Sequence, residues 1–200
     1  MSSAGRRLRI APSLLSADFA DLSGAMASAE KAGCDAFHLD VMDGHFVPNI
    51  SFGPALVKAV RARTKLPLDV HLMVQHPQQF VEDFAKAGGN TLVFHAESAV
   101  EPPKVIARCH ELGVQVGMAL KPETPFAVLE PFLGDLDQVM VMSVHPGFSG
   151  QSFLPEALPK LREARRALDH RESRADLSID GGIVETTAVE AARCGATFFV

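Results

Sequence analysis

The chain has 200 residues, a formal net charge of −5, 47% hydrophobic residues and 22% charged residues. Such a length and balance suit one soluble domain with a substantial core, and the negative charge argues against nucleic acid or an anionic membrane as partner. No apolar run approaches the roughly 20 residues of a membrane helix. The opening Met1 to Arg7 carries charge but no secretory-type apolar stretch, because Arg9 and Pro12 interrupt Leu8 to Leu15. It predicts a flexible tail over residues 1–7 on a cytoplasmic protein.

From there, strand and helix signals alternate to the end of the chain, with no linker and no low-complexity stretch. Strands are expected at 8–13, 36–42, 68–73, 91–95, 114–119, 138–144, 176–180 and 197–200. Helical faces lie between them: Phe19, Leu22, Met26 and Ala29 form one, Val105, Cys109 and Leu112 another, and Leu158, Leu161 and Leu168 a third. Helix starts are marked by Asp18, by His76-Pro77 and by Thr124-Pro125. A glycine before the next strand ends several helices, at Gly33, Gly88, Gly113 and Gly195. Cys34, Cys109 and Cys194 are odd in number and far apart, which predicts reduced, packed thiols rather than disulfides.

Strict alternation of strand and helix predicts a parallel α/β sheet. The first strand–helix junction, Pro12 to Ser16, lacks the glycine-rich dinucleotide fingerprint, and eight strand signals favour a closed (β/α)8 TIM barrel in one domain over residues 1–200. The last residue, Val200, falls inside the eighth strand with no eighth helix after it, the pattern expected of a truncated barrel.

Two strands carry ionisable groups where a buried face should be apolar. Phe37, Leu39 and Val41 alternate with His38, Asp40 and Met42; Leu68, Val70 and Leu72 alternate with Asp69, His71 and Met73. Asp180 closes Leu177-Ser178-Ile179-Asp180 in the same phase. Buried charge needs compensation. Inward polar groups at strand ends therefore number Ser13, His38, Asp40, His71 and Asp180. Of these, two imidazoles and two carboxylates make a sound ligand set for a divalent metal, with Zn, Fe(II), Mn(II) and Co(II) all suited. Glycines after the sixth and seventh strands, in Gly147-Phe148-Ser149-Gly150 and Gly181-Gly182, allow backbone N–H groups to approach a phosphate. Met42, Met73 and Met142 fall on the same inner face and would wall a reactive intermediate from water.

With these residues assembled, the chain resembles the ribulose-phosphate 3-epimerase family. His38-Leu39-Asp40-Val41-Met42-Asp43-Gly44-His45-Phe46-Val47-Pro48-Asn49 is similar to its signature. Asp69 to Val74, Val144 to Gln151 and Ile179 to Gly182 are similar to its other motifs, and the likeness runs from Ile10 to Val200. The resemblance implies a (β/α)8 enzyme interconverting D-ribulose 5-phosphate and D-xylulose 5-phosphate, a small-molecule sugar phosphate. It implies His38, Asp40, His71 and Asp180 as metal ligands, zinc foremost, and Asp40 and Asp180 as the acid–base pair. Ser13 and His71 would touch substrate, and Gly147 to Gly150 with Gly181 and Gly182 would hold its phosphate. His145 and Ser149 stand where relatives often carry another polar residue and a glycine. The family's eighth-strand Gly-Ser phosphate contact has no counterpart before Val200.

Inverting a carbon next to a ketone needs proton removal on one face and return on the other, so two carboxylates are wanted. The path runs through a cis-enediolate whose charge a metal would offset. Three other readings compete. One is epimerisation of another ketose phosphate, such as allulose 6-phosphate. A second is a Schiff-base lyase using Lys121, which lacks an evident activating neighbour. The third is an inactive phosphate-binding remnant. Loop Gly44 to Phe52 is placed to close over a substrate, and the composition leaves monomer and homo-oligomer both open.

Overall fold

Parallel strands follow one another in sequence order round a single curled sheet. The computed structural model describes residues 7–98 and 101–200. Among these, eight strands pair in the order β1-β8-β7-β6-β5-β4-β3-β2. They are β1 (Arg9–Ile10), β2 (Phe37–Met42), β3 (Leu68–Met73), β4 (Thr91–His95), β5 (Gln115–Leu120), β6 (Gln138–Met142), β7 (Asp176–Asp180) and β8 (Phe198–Phe199). The sheet closes between its ends: Asp35 N donates to Ile10 O at 2.8 Å, His38 N to Pro12 O at 3.1 Å, and Ser13 bridges His38 in parallel. The expected (β/α)8 barrel is the observed architecture.

Outside the barrel lie α1 (Leu22–Ala32), α2 (Pro54–Arg61), α3 (Val81–Ala87), α4 (Pro102–Glu111), α5 (Ala157–His170) and α6 (Glu185–Arg193). Strand residues of one parity, among them Leu39, Val41, Val70, Leu72, Leu92, Phe94, Val139, Val141, Leu177 and Ile179, point outward and share one buried cluster with the helices. Residues of the other parity fill the barrel, where Val93, Ala119, Met140, Met142 and Val144 pack together. Both faces of β2 and β3 are buried, so their ionisable residues have no escape to solvent.

Several boundaries differ from expectation for local reasons. Only two residues of the first predicted strand pair as a ladder, since Pro12 has no N–H to give and interrupts the run to Ser13. β5 runs one residue later than predicted, because Val114 N is held by the end of α4 through Cys109 O. β6 stops at Met142, and Ser143 instead donates backbone and side chain to Asp180 O. Asp18 and Asp21 cap in succession, on Ala20 N and Gly24 N. They isolate a 3₁₀ turn Phe19–Asp21 before α1. Phe19 is thereby removed from the predicted apolar face; it is 54% exposed and meets Phe52 ring to ring at 5.1 Å.

The helix expected after Thr124-Pro125 is a 3₁₀ segment, Phe126–Phe132, because Pro131 inside it denies an α-type hydrogen bond. Gly33 and Gly88 end α1 and α3 in left-handed geometry as expected. Residues 1–6 of the predicted tail lie outside the described residues, and Arg7 pairs with Asp35 at 2.5 Å. Cys34, Cys109 and Cys194 are free thiols. Among the described residues no helix is long and apolar enough to cross a membrane.

Phe94 is fully buried between barrel and helices. Phe94→Ala is expected to lower stability by about 3–5 kcal/mol, read from the midpoint of urea denaturation with the slope unchanged.

Candidate active site

Strand phase brings four predicted ligands to one point at the C-terminal mouth of the barrel. In the β2–β3 register Asp40 lies opposite His71 and His38 opposite Asp69, while β7 delivers Asp180 from across the barrel. One ligand atom each from His38, Asp40, His71 and Asp180 falls within 4.8 Å of the others. Asp40 Oδ1 is 3.2 Å from both His38 Nε2 and His71 Nδ1. Asp180 Oδ2 is 3.5 Å from His71 Nδ1 and 3.9 Å from His38 Nε2. These separations suit a small cation at the centre, bound by two nitrogens and two oxygens. Asp69 supports the cluster by accepting from His38 Nδ1 at 2.8 Å, while its other carboxylate oxygen is buried without a hydrogen-bond partner.

Burial and charge act against each other here. Burial alone would raise the Asp40 carboxyl, yet the charge and hydrogen bonds of His38, with those of His71, hold it well below the usual carboxylate range. The reciprocal effect acts on the imidazoles. Burial would lower His38, but Asp40 and Asp69 hold it well above its ordinary value. For His71, burial is likewise outweighed by hydrogen bonds to the carboxylates of Asp180 and Asp40. The cluster is built to carry charge in the interior.

Above these groups opens a cleft of about 450 Å3 lined by Ser13, Asp40, Asp180, the three methionines Met42, Met73 and Met142, and both glycine loops. Ser13 Oγ donates to Asp40 Oδ2 at 2.5 Å. His38 and His71 are fully buried behind the carboxylates and do not reach the cleft wall. Gly147, Gly150, Gly181 and Gly182 all have positive φ. Ser143 Oγ donates to Gly181 O at 2.6 Å, fixing that turn. Phe148 and Ser149 line the rim, with Phe148 half exposed. Loop Gly44 to Phe52, expected to close over a substrate, is tethered at several points. Asp43 accepts from His45 N, Phe46 N and Gln75 N, and Asn49 Nδ2 donates to Gly147 O at 2.8 Å.

Sequence reasoning missed His95. It ends β4 in the same phase as Thr91 and Val93, so strand alternation could have found it. It is fully buried, with Nε2 2.9 Å from His71 Nε2 and Nδ1 3.1 Å from Glu97 Oε2. Burial drives His95 down to about 4, against the opposing pull of Glu97, so its ring is neutral at pH 7. Lys121, weighed as a Schiff-base lysine, lies with Nζ 4.0 Å over the Phe46 ring.

The Ribulose-phosphate 3 epimerase family model matches residues 9–200. A ribulose-phosphate 3-epimerase of Bacillus subtilis is 46% identical over 194 residues, covering 96% of this chain and 89% of the relative. Proteins of the same description from Synechocystis and from Escherichia coli are each 43% identical, covering 98% and 96% of this chain and 86% and 85% of the relatives. Among solved structures, a mutant tryptophan synthase α-subunit of Pyrococcus furiosus superposes with a TM-score of 0.72 at 15% identity, over 98% of this chain and 87% of that one. That likeness concerns the fold alone.

A side chain at Gly182, where φ is +64°, would put Cβ 2.5 Å from the backbone nitrogen of Phe153. Gly182→Ala is expected to cost about 1–3 kcal/mol of stability through strain and overpacking, seen as a lowered thermal midpoint.

Proposed function

The chain belongs to the ribulose-phosphate 3-epimerase family, and from that membership we propose that it interconverts D-ribulose 5-phosphate and D-xylulose 5-phosphate by two-base proton exchange at C3. The observation that carries the proposal is the facing of Asp40 and Asp180 across one cleft, each turning one oxygen toward the buried imidazoles.

The C3 proton is acidic because the electron pair left behind spreads onto the C2 carbonyl oxygen, giving a planar enediolate. Returning a proton to the opposite face inverts the centre. Each carboxylate thus acts as base in one direction and acid in the other. Asp40 Oδ1 faces the imidazoles, so Oδ2 is the oxygen that exchanges the proton, and the Ser13 hydroxyl aims it. On Asp180, Oδ2 is engaged with the imidazoles and Oδ1 takes the equivalent part.

His38, Asp40, His71 and Asp180 would hold one divalent cation, zinc by preference with Fe(II), Mn(II) or Co(II) as substitutes. When bound, it supplies positive charge beside the sugar oxygens on which negative charge develops. The donor set supports this: two carboxylates so close together need a cation or a proton to coexist. Met42, Met73 and Met142 exclude water that would otherwise protonate the carbanionic carbon from either face. The amides of Gly147 to Gly150 and of Gly181-Gly182 would receive the phosphate, setting the length of sugar that places C3 between the aspartates.

Asp40→Asn and Asp180→Asn should each lower kcat by about 10²–10⁴ while circular dichroism stays that of the parent, in a coupled assay for xylulose 5-phosphate. Near-parental turnover in either variant overturns the two-base scheme. Prolonged chelation should abolish turnover, and Zn(II), Mn(II) or Co(II) should restore it; turnover indifferent to chelator removes the metal from the proposal.

A further inference from the structure

His95 and Glu97 take no part in the proton exchange, yet they are built against one of its buried imidazoles. Glu97 is fixed at both ends: Oε1 accepts from Lys121 N at 2.8 Å, and Oε2 lies 3.1 Å from His95 Nδ1. His95 Nε2 is 2.9 Å from His71 Nε2, and the two rings stack with centroids 5.0 Å apart. The Phe46 ring covers His95 with centroids 4.8 Å apart.

Counting hydrogens along this chain leaves one arrangement. A carboxylate only accepts, so His95 Nδ1 bears the hydrogen. The facing Nε2 atoms of His95 and His71, 2.9 Å apart, share a single hydrogen. With a cation on Nδ1, the His71 ring keeps its hydrogen on Nε2 and donates it, so His95 Nε2 accepts with a bare lone pair. His71 Nδ1 is then the nitrogen open to a cation, and it is the one facing Asp40 and Asp180. For His38, on neighbouring β2, Asp69 acts directly and at the other nitrogen: it accepts the Nδ1 hydrogen and leaves Nε2 facing the same cluster.

We propose that Glu97 and His95 are positioning residues that hold His71 in its Nε2–H form and so present Nδ1 as a metal ligand. The inference rests on the metal reading of the site. It extends that reading one step outward, from the ligands to the groups that choose which nitrogen ligates.

The test is long-range proton–nitrogen NMR on the whole chain labelled with ¹⁵N-histidine, with and without zinc, beside zinc affinity measured by chelator competition. In the parent, His95 should show Nδ1–H with a bare Nε2, and His71 should show Nε2–H in both samples. In Glu97→Gln the amide can donate as well as accept. His95 should then populate Nε2–H, and zinc binding should weaken about 10–100-fold. His95→Gln, whose carbonyl can still accept from His71, should retain more affinity than His95→Leu, which cannot. An Nε2–H signal on His95 in the parent overturns the proposal. So does Glu97→Gln with parental affinity and parental nitrogen shifts. Should either variant fail to fold, the parental spectrum alone decides. Absence of zinc binding by the parent would sink the metal reading, whereas Nε2–H on His71 in that sample would still uphold the relay.

Discussion

Asp40 is the group on which the mouth of the barrel depends. An ionised carboxylate removed from water costs several kcal/mol unless its surroundings replace what water gave. Here one oxygen lies 3.2 Å from a nitrogen of each of two imidazoles, and the other accepts from a serine hydroxyl. The compensation is mutual, since Asp40 and Asp69 hold the fully buried His38 above its ordinary value, and Asp180 with Asp40 does the same for His71. Removing any member leaves another stranded, so the cluster stands or falls as a unit. Such coupling also ties catalysis to architecture: β2, β3 and β7 contribute to one group of atoms only when the sheet is curled and shut.

The fold meets this demand by dividing labour along each strand. Outward positions are apolar and bind the helices, so stability comes from a layer that never touches the chemistry. Inward positions change from small residues on β5 to ionisable ones on β2, β3 and β7, which meet at the mouth of the barrel. Strand ends then hand over to glycine-rich turns where backbone N–H groups can meet an anion without a side chain in the way. Asn49 joins two of these regions, its loop lying after β2 and its acceptor, Gly147 O, after β6.

Much of this could be read from residue order. β3, β4 and β7 begin and end where the sequence places them: β3 and β7 alternate apolar with polar residues, and β4 is a short apolar run between polar ends. The four central ligands were legible for the same reason: each is a costly residue type at an inward position. What escaped depends on neighbours in space. Asp69 stood in a legible strand, but its part follows only from the register that sets it opposite His38. His95 sits in a strand whose inner face is otherwise Thr91 and Val93, so no second charge drew notice to it, and its contact with His71 needs β3 beside β4. Helix starts were blurred where aspartates cap twice or a proline falls inside a turn, since two local rules then compete over a few residues.

The residues of the site are unevenly distributed along the polypeptide. His38, Asp40, His71, His95 and Glu97 all belong to the first hundred residues, while Asp180 and both glycine turns come from the last sixty. A ribosome therefore synthesises the nitrogen-rich half well before the carboxylate opposite it exists. The cluster therefore depends on a meeting of early and late segments of the polypeptide, and is whole only when β7 is in place.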